Sequence, residues 1–531
     1  MDFRDYVADG PALPLKALIA PPRTSLGRGG DAIAEGSEDA MAADDRATAE
    51  PGPRLYEELA EEIARQIATN VLRPGDRLPS VRQTCKARHL SPSTVFQAYY
   101  LLESRGVIRA VPRSGYFVNP PSSEPAPEPA TSTPPEGAHH VEITDLVYEI
   151  LSSAKFRNIV PLGSAFPSPL LFPLDDLRRA LSSSTRKLDV WSTLDDLPPG
   201  NERLPRQIAK RYLMQGLEVA LDEIVLTNGG LDALNLCLQA VARPGDAVVV
   251  ESPCFYAALQ ALERLGLKAI EVPTHPREGV DLSYLSRILE TQRPKACWLM
   301  TNFQNPLGCT LPWEKKRALV ELLSNHEVPL IEDDVYGELY HNSDGPSSAK
   351  TFDRRGMVMH CSSFSKTLAP GYRVGWVAAG RFAHNVRRLK VMTSLSGSVP
   401  TQAALAEYLQ QSSYDRHLRN LRQALKRQKD ALVASVTRHF PAGIRLTRPD
   451  GGYFIWVDMP WDAADALTVY RAALSNRISI APGPMFSNHG GFGNCLRLNF
   501  GHPWTPQTEK AIATLGRLLS QQSAPSADRE S

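Results

Sequence analysis

Residues 362–376 read SSFSKTLAPGYRVGW, and the reading of the larger part of the chain turns on Lys366 within that stretch. An apolar, strand-like run over 356–361 leads in, Pro370 and Gly371 make a turn, and a second apolar run covers 374–379. A lysine set between two strands, flanked by hydroxyls and followed seven residues later by Arg373, suits an anionic aldehyde cofactor. The amine forms a Schiff base. Ser363, Ser365 and Arg373 hold a phosphate, the arginine through paired charge-assisted bonds. Read alone, the same residues describe a surface loop with a solvated lysine equally well.

Outward from this stretch, residues 145–519 alternate apolar runs with helix-length segments. The runs are EIVLTN, AVVVESP, KAIEVP, KACWLMTN, VPLIEDD, MVMHCSSFS and VGWVAAG. Such alternation predicts a largely parallel α/β sheet. After Val399 comes a long charged helix, then a smaller α+β unit through about residue 518. Candidate site residues lie at the C-terminal ends of predicted strands, where open α/β sheets place their ligands. In TNGGLDALNL, Gly229, Gly230 and the amide of Leu231 offer backbone donors to a phosphate at a helix start, or simply form a turn. In IEDDVYGELY, Asp333 suits a protonated pyridine nitrogen and Tyr336 a ring oxygen; the alternative is a capping aspartate with a packed tyrosine. Asn305, in the NFQNPLG turn, suits the same ring oxygen. Phe255, after SPC, stacks on a pyridine face or fills the core. Arg497, on the predicted strand CLRLNF, needs a partner if buried, and a substrate carboxylate is a natural one.

Upstream, LYEELAEEIARQI places Leu55, Leu59, Ile63 and Ile67 on one helix face. Pro74 and Gly75 then turn the chain. A second helix is predicted from Ser80 to near His89. A third is capped at Ser91 or Ser93, with Val95, Ala98, Tyr99 and Leu102 apolar and Gly106 as its stop. VIRAVPRSGYFV follows as a hairpin. Three helices and a hairpin within so short a span predict a winged helix-turn-helix.

The seven cysteines are dispersed, mostly inside apolar runs, and have no paired spacing, which points to reduced thiols with neither a disulfide framework nor a metal site. Net charge is +1, so any nucleic-acid binding must come from a local patch. No apolar run reaches membrane-spanning length and no basic segment precedes an apolar one at the N-terminus, so a cytoplasmic protein without a membrane partner is expected. Residues 1–52, rich in Ala, Gly, Asp and Glu, are expected to be disordered or to reflect a mis-assigned start. The DNA-binding domain is expected over 53–120, a Pro/Ser/Glu linker over 121–144, the α/β domain over 145–520 and a disordered tail over 521–531.

Residues 53–120 resemble the winged-helix domain of the GntR family of bacterial regulators through L-Y-x-x-L-A, L-x-P-G-x-R-L-P-S-V-R, S-x-x-T-V-x-x-A-Y and S-G-Y-F-V. The resemblance implies that the helix after Ser91 enters the major groove, with Ser93, Thr94 and Gln97 at base edges or phosphates. Arg77, Arg82 and Lys86 would contact the backbone, and Arg109 and Arg113 would sit on the wing.

The remainder resembles a fold-type I, class I/II aminotransferase dependent on pyridoxal 5'-phosphate, with G-S-A-F-P-S-P-L-L-F-P, G-G-x-x-A-L, N-P-x-G, D-x-x-Y, S-x-S-K-x-x-x-P-G-x-R-x-G and R-L-x-F in order. It implies Lys366 as the Schiff-base lysine and Asp333 as the pyridinium partner. Asn305 and Tyr336 would lie on the ring oxygen and Phe255 on the ring face. Ser363, Arg373 and the amides near Gly230 would hold the phosphate, and Arg497 an α-carboxylate. Two departures stand out. Gly230 replaces the usual hydroxyl at the helix start. In DLPPGNERLPR, Asp195 replaces a tyrosine and Pro205 an arginine, with Trp191 out of register.

The combined layout is similar to the MocR subfamily. It implies a dimeric transcription regulator whose pyridoxal phosphate, or its adduct with an amino compound, is the effector. Two other readings stay open: an amino-acid aminotransferase with a regulatory or tethering head, and a pyridoxal-phosphate sensor for which Arg497 is dispensable.

Overall fold

The structure is a computed structural model that describes residues 55–69, 71–73, 75–104, 107–111, 114–118, 126–153, 159–194, 202–342, 344–411, 413–461 and 464–523. The chain divides into two compact units at residues 121 and 122. Arg113, Asp195, residues 1–52 and most of the expected tail lie outside the described residues.

In the first unit, helices α1 (Leu55–Ala68), α2 (Val81–Arg88) and α3 (Pro92–Ser104) precede strands β1 (Ile108–Val111) and β2 (Gly115–Val118). The two strands pair antiparallel, with Ile108 opposite Val118. Leu59 and Ile63 pack with Leu78, Val95, Ala98, Tyr99, Leu102, Ile108 and Val118. Leu55, expected on that apolar face, is exposed instead, as the first residue of the helix. Helix α2 begins with a capping box: the Ser80 hydroxyl accepts from the Gln83 amide while the Gln83 side chain accepts from the Ser80 amide. It ends at His89 in the left-handed region, at φ 55°. Ser91 caps α3, its hydroxyl accepting from the Thr94 amide at 3.2 Å. The buried Tyr99 hydroxyl lies 2.8 Å from Thr84 Oγ1 and donates to the Pro79 carbonyl at 2.8 Å. One phenol therefore ties α2 to α3 and sets the roll of the third helix.

The second unit is built on a nine-stranded sheet. Its strands are β3 (Ala138–His140), β5 (Ile224–Thr227), β6 (Ala247–Ser252), β7 (Lys268–His275), β8 (Gly279–Val280), β9 (Ala296–Leu299), β10 (Leu330–Asp333), β11 (Val358–Ser363) and β12 (Gly375–Ala378); β4 (Val160–Pro161) lies apart. The order is β3-β7-β6-β9-β10-β11-β12-β5, with β8 on β7. Strands β7, β6, β9, β10 and β11 run parallel, while β12 is antiparallel to both β11 and β5. Strands β5, β9, β10 and β12 are buried along their whole length, as expected where helices cover both faces of a sheet.

A smaller antiparallel sheet holds β13 (Arg445–Leu446), β14 (Phe454–Asp458), β16 (Ala481–Pro482) and β17 (Cys495–Asn499). Strand β15 (Ile478–Ser479) pairs with β4. The helix Ser413–His439 leads from the large sheet to this small one.

Two expectations about the ends of this unit change. Residues 126–140, expected to be part of the Pro/Ser/Glu linker, lie along the second unit as a strap. The Ala126 and Pro127 carbonyls accept from Arg448 and from the Leu446 amide, both beside the small sheet. Glu128 pairs with Arg277, and Ser132 bonds the Ser252 carbonyl and the Thr274 amide on the large sheet. Residues 138–140 then form its edge strand. Proline-rich composition encodes extension, and an extended backbone has free donors and acceptors to lay on a neighbour. The final helix, Pro506–Ser523, continues past the expected end at residue 520. Among the described residues, no helix is long and apolar enough to cross a membrane.

Candidate functional site

Lys366 sits in the turn that converts parallel β11 into antiparallel β12, and the site is assembled around that turn. Its Nζ donates to the Ala165 carbonyl at 2.9 Å and lies 3.8 Å from the centroid of the Phe166 ring. Burial pulls the amine's pKa down to about 7; Asp333 resists this, and Arg497 and Arg373 add to it. Asp333, at the end of β10, is fully buried. Burial pushes its carboxyl up to about 7, helped by the neighbouring Asp334 and opposed by Lys366. Neither carboxylate oxygen has a hydrogen-bond partner. A buried carboxylate in that state is costly unless a donor arrives.

The same feature recurs around it. Asn305 Nδ2, Ser365 Oγ and Arg497 Nε are all buried without a partner. Arg497 is fully buried on β17 and donates only to neutral acceptors: Asn305 Oδ1 at 2.8 Å and the Gly163 and Ser164 carbonyls at 2.8 and 3.2 Å. Its guanidinium lies 4.0 Å from the Phe454 ring centroid. Tyr336 is buried against Tyr453 and Phe454, and burial raises its phenol pKa.

The phosphate side depends on close backbone approach. Gly229 has φ 95°, and a Cβ there would stand 2.5 Å from Arg373 Nη2. A Cβ at Gly375 would stand 2.5 Å from the Gly229 carbonyl carbon. Two glycines therefore let the start of the helix Gly230–Val241 meet β12 and Arg373. Arg373 donates to the Asn228 carbonyl at 2.9 Å. At Gly230 a Cβ would lie 3.1 Å from Val335 Cγ1 and 3.5 Å from Ser363 Oγ, so the hydroxyl next to that helix start comes from Ser363. The Leu231 side chain points to solvent, and only its amide is placed to serve. Phe255, half-buried, packs against Tyr256 at 4.9 Å. Pro205 is buried in the helix Arg203–Met214. Trp191 is 76% exposed.

Sequence reasoning missed the supports of this site. Asp334 bonds His360 Nε2 at 3.0 Å; His360 Nδ1 meets the Tyr212 hydroxyl at 2.7 Å, and Trp376 Nε1 donates to that hydroxyl at 2.9 Å. Burial acts against a proton on His360, but the bond to Asp334 prevails and raises its pKa. A histidine inside the apolar run MVMHCSS was the available signal. Phe166 and the Ala165 carbonyl lie in the GSAFP segment, whose pattern gives neither of them a role at Lys366. Asn499 holds that segment by donating to the Ser164 and Phe166 carbonyls.

In the first unit, Arg77, Arg82, Lys86, Ser93, Gln97 and Arg109 are exposed. Arg77 packs against the wing, 3.3 Å from the Cβ that Gly115 lacks. Thr94 is half-buried and bonds the capping Ser91 hydroxyl at 2.8 Å, so it turns partly away from the surface assigned to it. Among the described residues, no group of three or more His, Cys, Asp or Glu side chains is placed to hold a metal ion.

The profile of "Aminotransferase class I and II" matches residues 196–515, and that of "Bacterial regulatory proteins, gntR family" matches residues 55–118. The chain is 46% identical to the HTH-type transcriptional regulator YdcR of Escherichia coli (strain K12), over 88% of this chain and 99% of that one. It is 37% identical to the regulator YjiR of the same organism, over 87% and 98%. Among solved structures, a kynurenine aminotransferase of Pyrococcus horikoshii superposes with a TM-score of 0.67 at 29% identity, covering 72% of this chain and 95% of that one.

Proposed function

The chain belongs to the MocR-type branch of the gntR-family regulators, in which a winged helix precedes a class I and II aminotransferase domain, and on that premise we propose that pyridoxal phosphate held at Lys366 sets its affinity for operator DNA. The observation that carries this reading is the set of unpartnered buried groups around Lys366: both Asp333 oxygens, Asn305 Nδ2, Ser365 Oγ and Arg497 Nε. They match a phosphorylated pyridine aldehyde in kind. Asp333 would hold the ring-nitrogen proton, with Asn305 and Tyr336 on the ring oxygen and Phe255 on the ring face. Ser363, Ser365, Arg373 and the amides of Gly229, Gly230 and Leu231 would hold the phosphate. When bound, the cofactor supplies an aldehyde that captures amines. Lys366 brings an amine whose pKa of about 7 leaves roughly half of it neutral near pH 7, and Arg497 offers the one fully buried guanidinium in this cluster to a carboxylate.

An effector changes DNA affinity only by binding the DNA-competent state differently. Arg497 gives that difference a place. It sits on the small sheet and bonds Asn305 and residues 163–164, so a carboxylate that takes its donors loosens those bonds. The strap at 126–140 bonds both sheets and continues along the chain toward the winged helix, so a shift of one sheet against the other reaches it. Exposed Leu170, Trp191 and Met214 offer apolar surface to a second copy, and a dimer would carry two winged helices. The test is operator binding by the full-length protein, with and without pyridoxal phosphate and amino acids.

A second reading, turnover as an aminotransferase, is favoured by the Lys366 amine, whose lowered pKa of about 7 suits a proton carrier as well as a cofactor anchor. Repeated turnover of an amino acid with a 2-oxo acid would establish it. A bound amino acid that changes only DNA binding would rule it out.

A further inference from the structure

Helix α3 exposes two aromatic rings that the reading above leaves unused. Val95, Ala98, Tyr99 and Leu102 are completely buried and fix one side of the helix to the core, with the Tyr99 hydroxyl bonded at Thr84 and Pro79. At 3.6 residues per turn, Ser93, Phe96, Gln97 and Tyr100 fall within an arc of about 100° on the opposite side. Phe96 is 53% exposed and Tyr100 73% exposed. Charge separates in the same unit: exposed Arg77, Arg82, Lys86 and Arg109 stand before and along α2 and on the wing, whereas α1 carries Glu57, Glu58, Glu61 and Glu62. The unit thus presents exposed apolar rings on α3 together with exposed positive charge on α2 and the wing, which complements a polyanion that has an apolar feature of its own.

Resting on the operator-binding reading, we propose that Phe96 reads the 5-methyl group of a thymine in the major groove. A phenyl ring neither donates nor accepts hydrogen bonds. In the major groove the base edges present donors, acceptors and a single apolar group, the thymine methyl. A ring lying in the groove covers polar edges without compensation at every other base. Phe96 is the fifth residue of α3, within the N-terminal half through which a recognition helix reaches base edges. Gln97 beside it supplies the paired donor and acceptor that suit adenine, so the face favours A·T-containing sites. Tyr100, one turn further along, lies toward the flank, where tyrosine hydroxyls meet phosphates.

The experiment uses the full-length protein with pyridoxal phosphate and a duplex selected by that protein from a randomised library. Each thymine is then replaced singly by deoxyuracil, which removes only the methyl. At one position in each half-site, the substitution is expected to weaken binding about fourfold, the equivalent of one buried methyl. Phe96→Ala should bind the thymine duplex more weakly and lose the thymine–uracil difference, while Phe96→Leu should keep part of it. Phe96 is exposed and outside the core, so an unchanged melting temperature for Phe96→Ala separates loss of contact from loss of folding. The same uracil profile in the wild type and Phe96→Ala would overturn the proposal, as would a uniform loss across all duplexes, which would make the ring a sequence-independent contact instead. Failure to select any sequence would overturn the operator reading itself, and this inference with it.

Discussion

At Lys366 the amine lies against the Ala165 carbonyl and the Phe166 ring, in surroundings that hold its pKa at about 7. Only a neutral amine attacks an aldehyde, so capture of pyridoxal phosphate by the cofactor-free protein should slow as pH falls through about 7, rather than near the usual lysine value. Stopped-flow absorbance across pH 5.5–9 (about one and a half to two units either side) measures that midpoint. Arg497 lowers the lysine pKa, so Arg497→Gln should move the midpoint upward; a midpoint unmoved by that change would contradict the electrostatic account. Lys366→Ala should abolish the visible absorbance of the lysine-bound cofactor, and an unchanged spectrum would remove Lys366 from the centre of the site. The reacting residues were legible because each needs a particular functional group at a strand end. The residues that hold them were not. Asp334, His360, Tyr212 and Trp376 come from four separate elements and act by bonding one another, and a linear pattern does not encode that contact.

Among the elements, the capped α2 and α3 and the hairpin were readable because their signals are local: Ser80 with Gln83, Ser91 before Pro92, and Gly115 at φ 101°. Salt dependence tests the placement of α2. If Arg82 contacts a phosphate, Arg82→Ala should reduce the slope of log affinity against log salt by about 1. An unchanged slope would move α2 away from DNA. The strap is legible only as a linker, since proline content specifies a backbone shape and says nothing of the surface on which it lies. Ser132→Ala should cost about 1–3 kcal/mol in denaturant unfolding of the second unit, because the buried Thr274 amide loses its acceptor there. No loss of stability would mean that the strap is not held at Ser132.

For the whole molecule, the parallel sheet, the small sheet and the winged helix were legible from alternation and motif order. The roll of α3 and the path of residues 126–140 depend on packing between distant residues. We propose that one equilibrium joins these parts: occupancy at Lys366 and Arg497 would bias the small sheet, and the strap would carry that bias along the chain. The most direct test is the affinity of the full-length protein for its selected operator, measured with and without saturating pyridoxal phosphate, in the wild type and in Lys366→Ala. The account predicts a change of at least about fivefold in the wild type, the lower end of ordinary coupling between sites, and none in Lys366→Ala. Equal wild-type affinity in both conditions, with cofactor binding confirmed by absorbance, would contradict it.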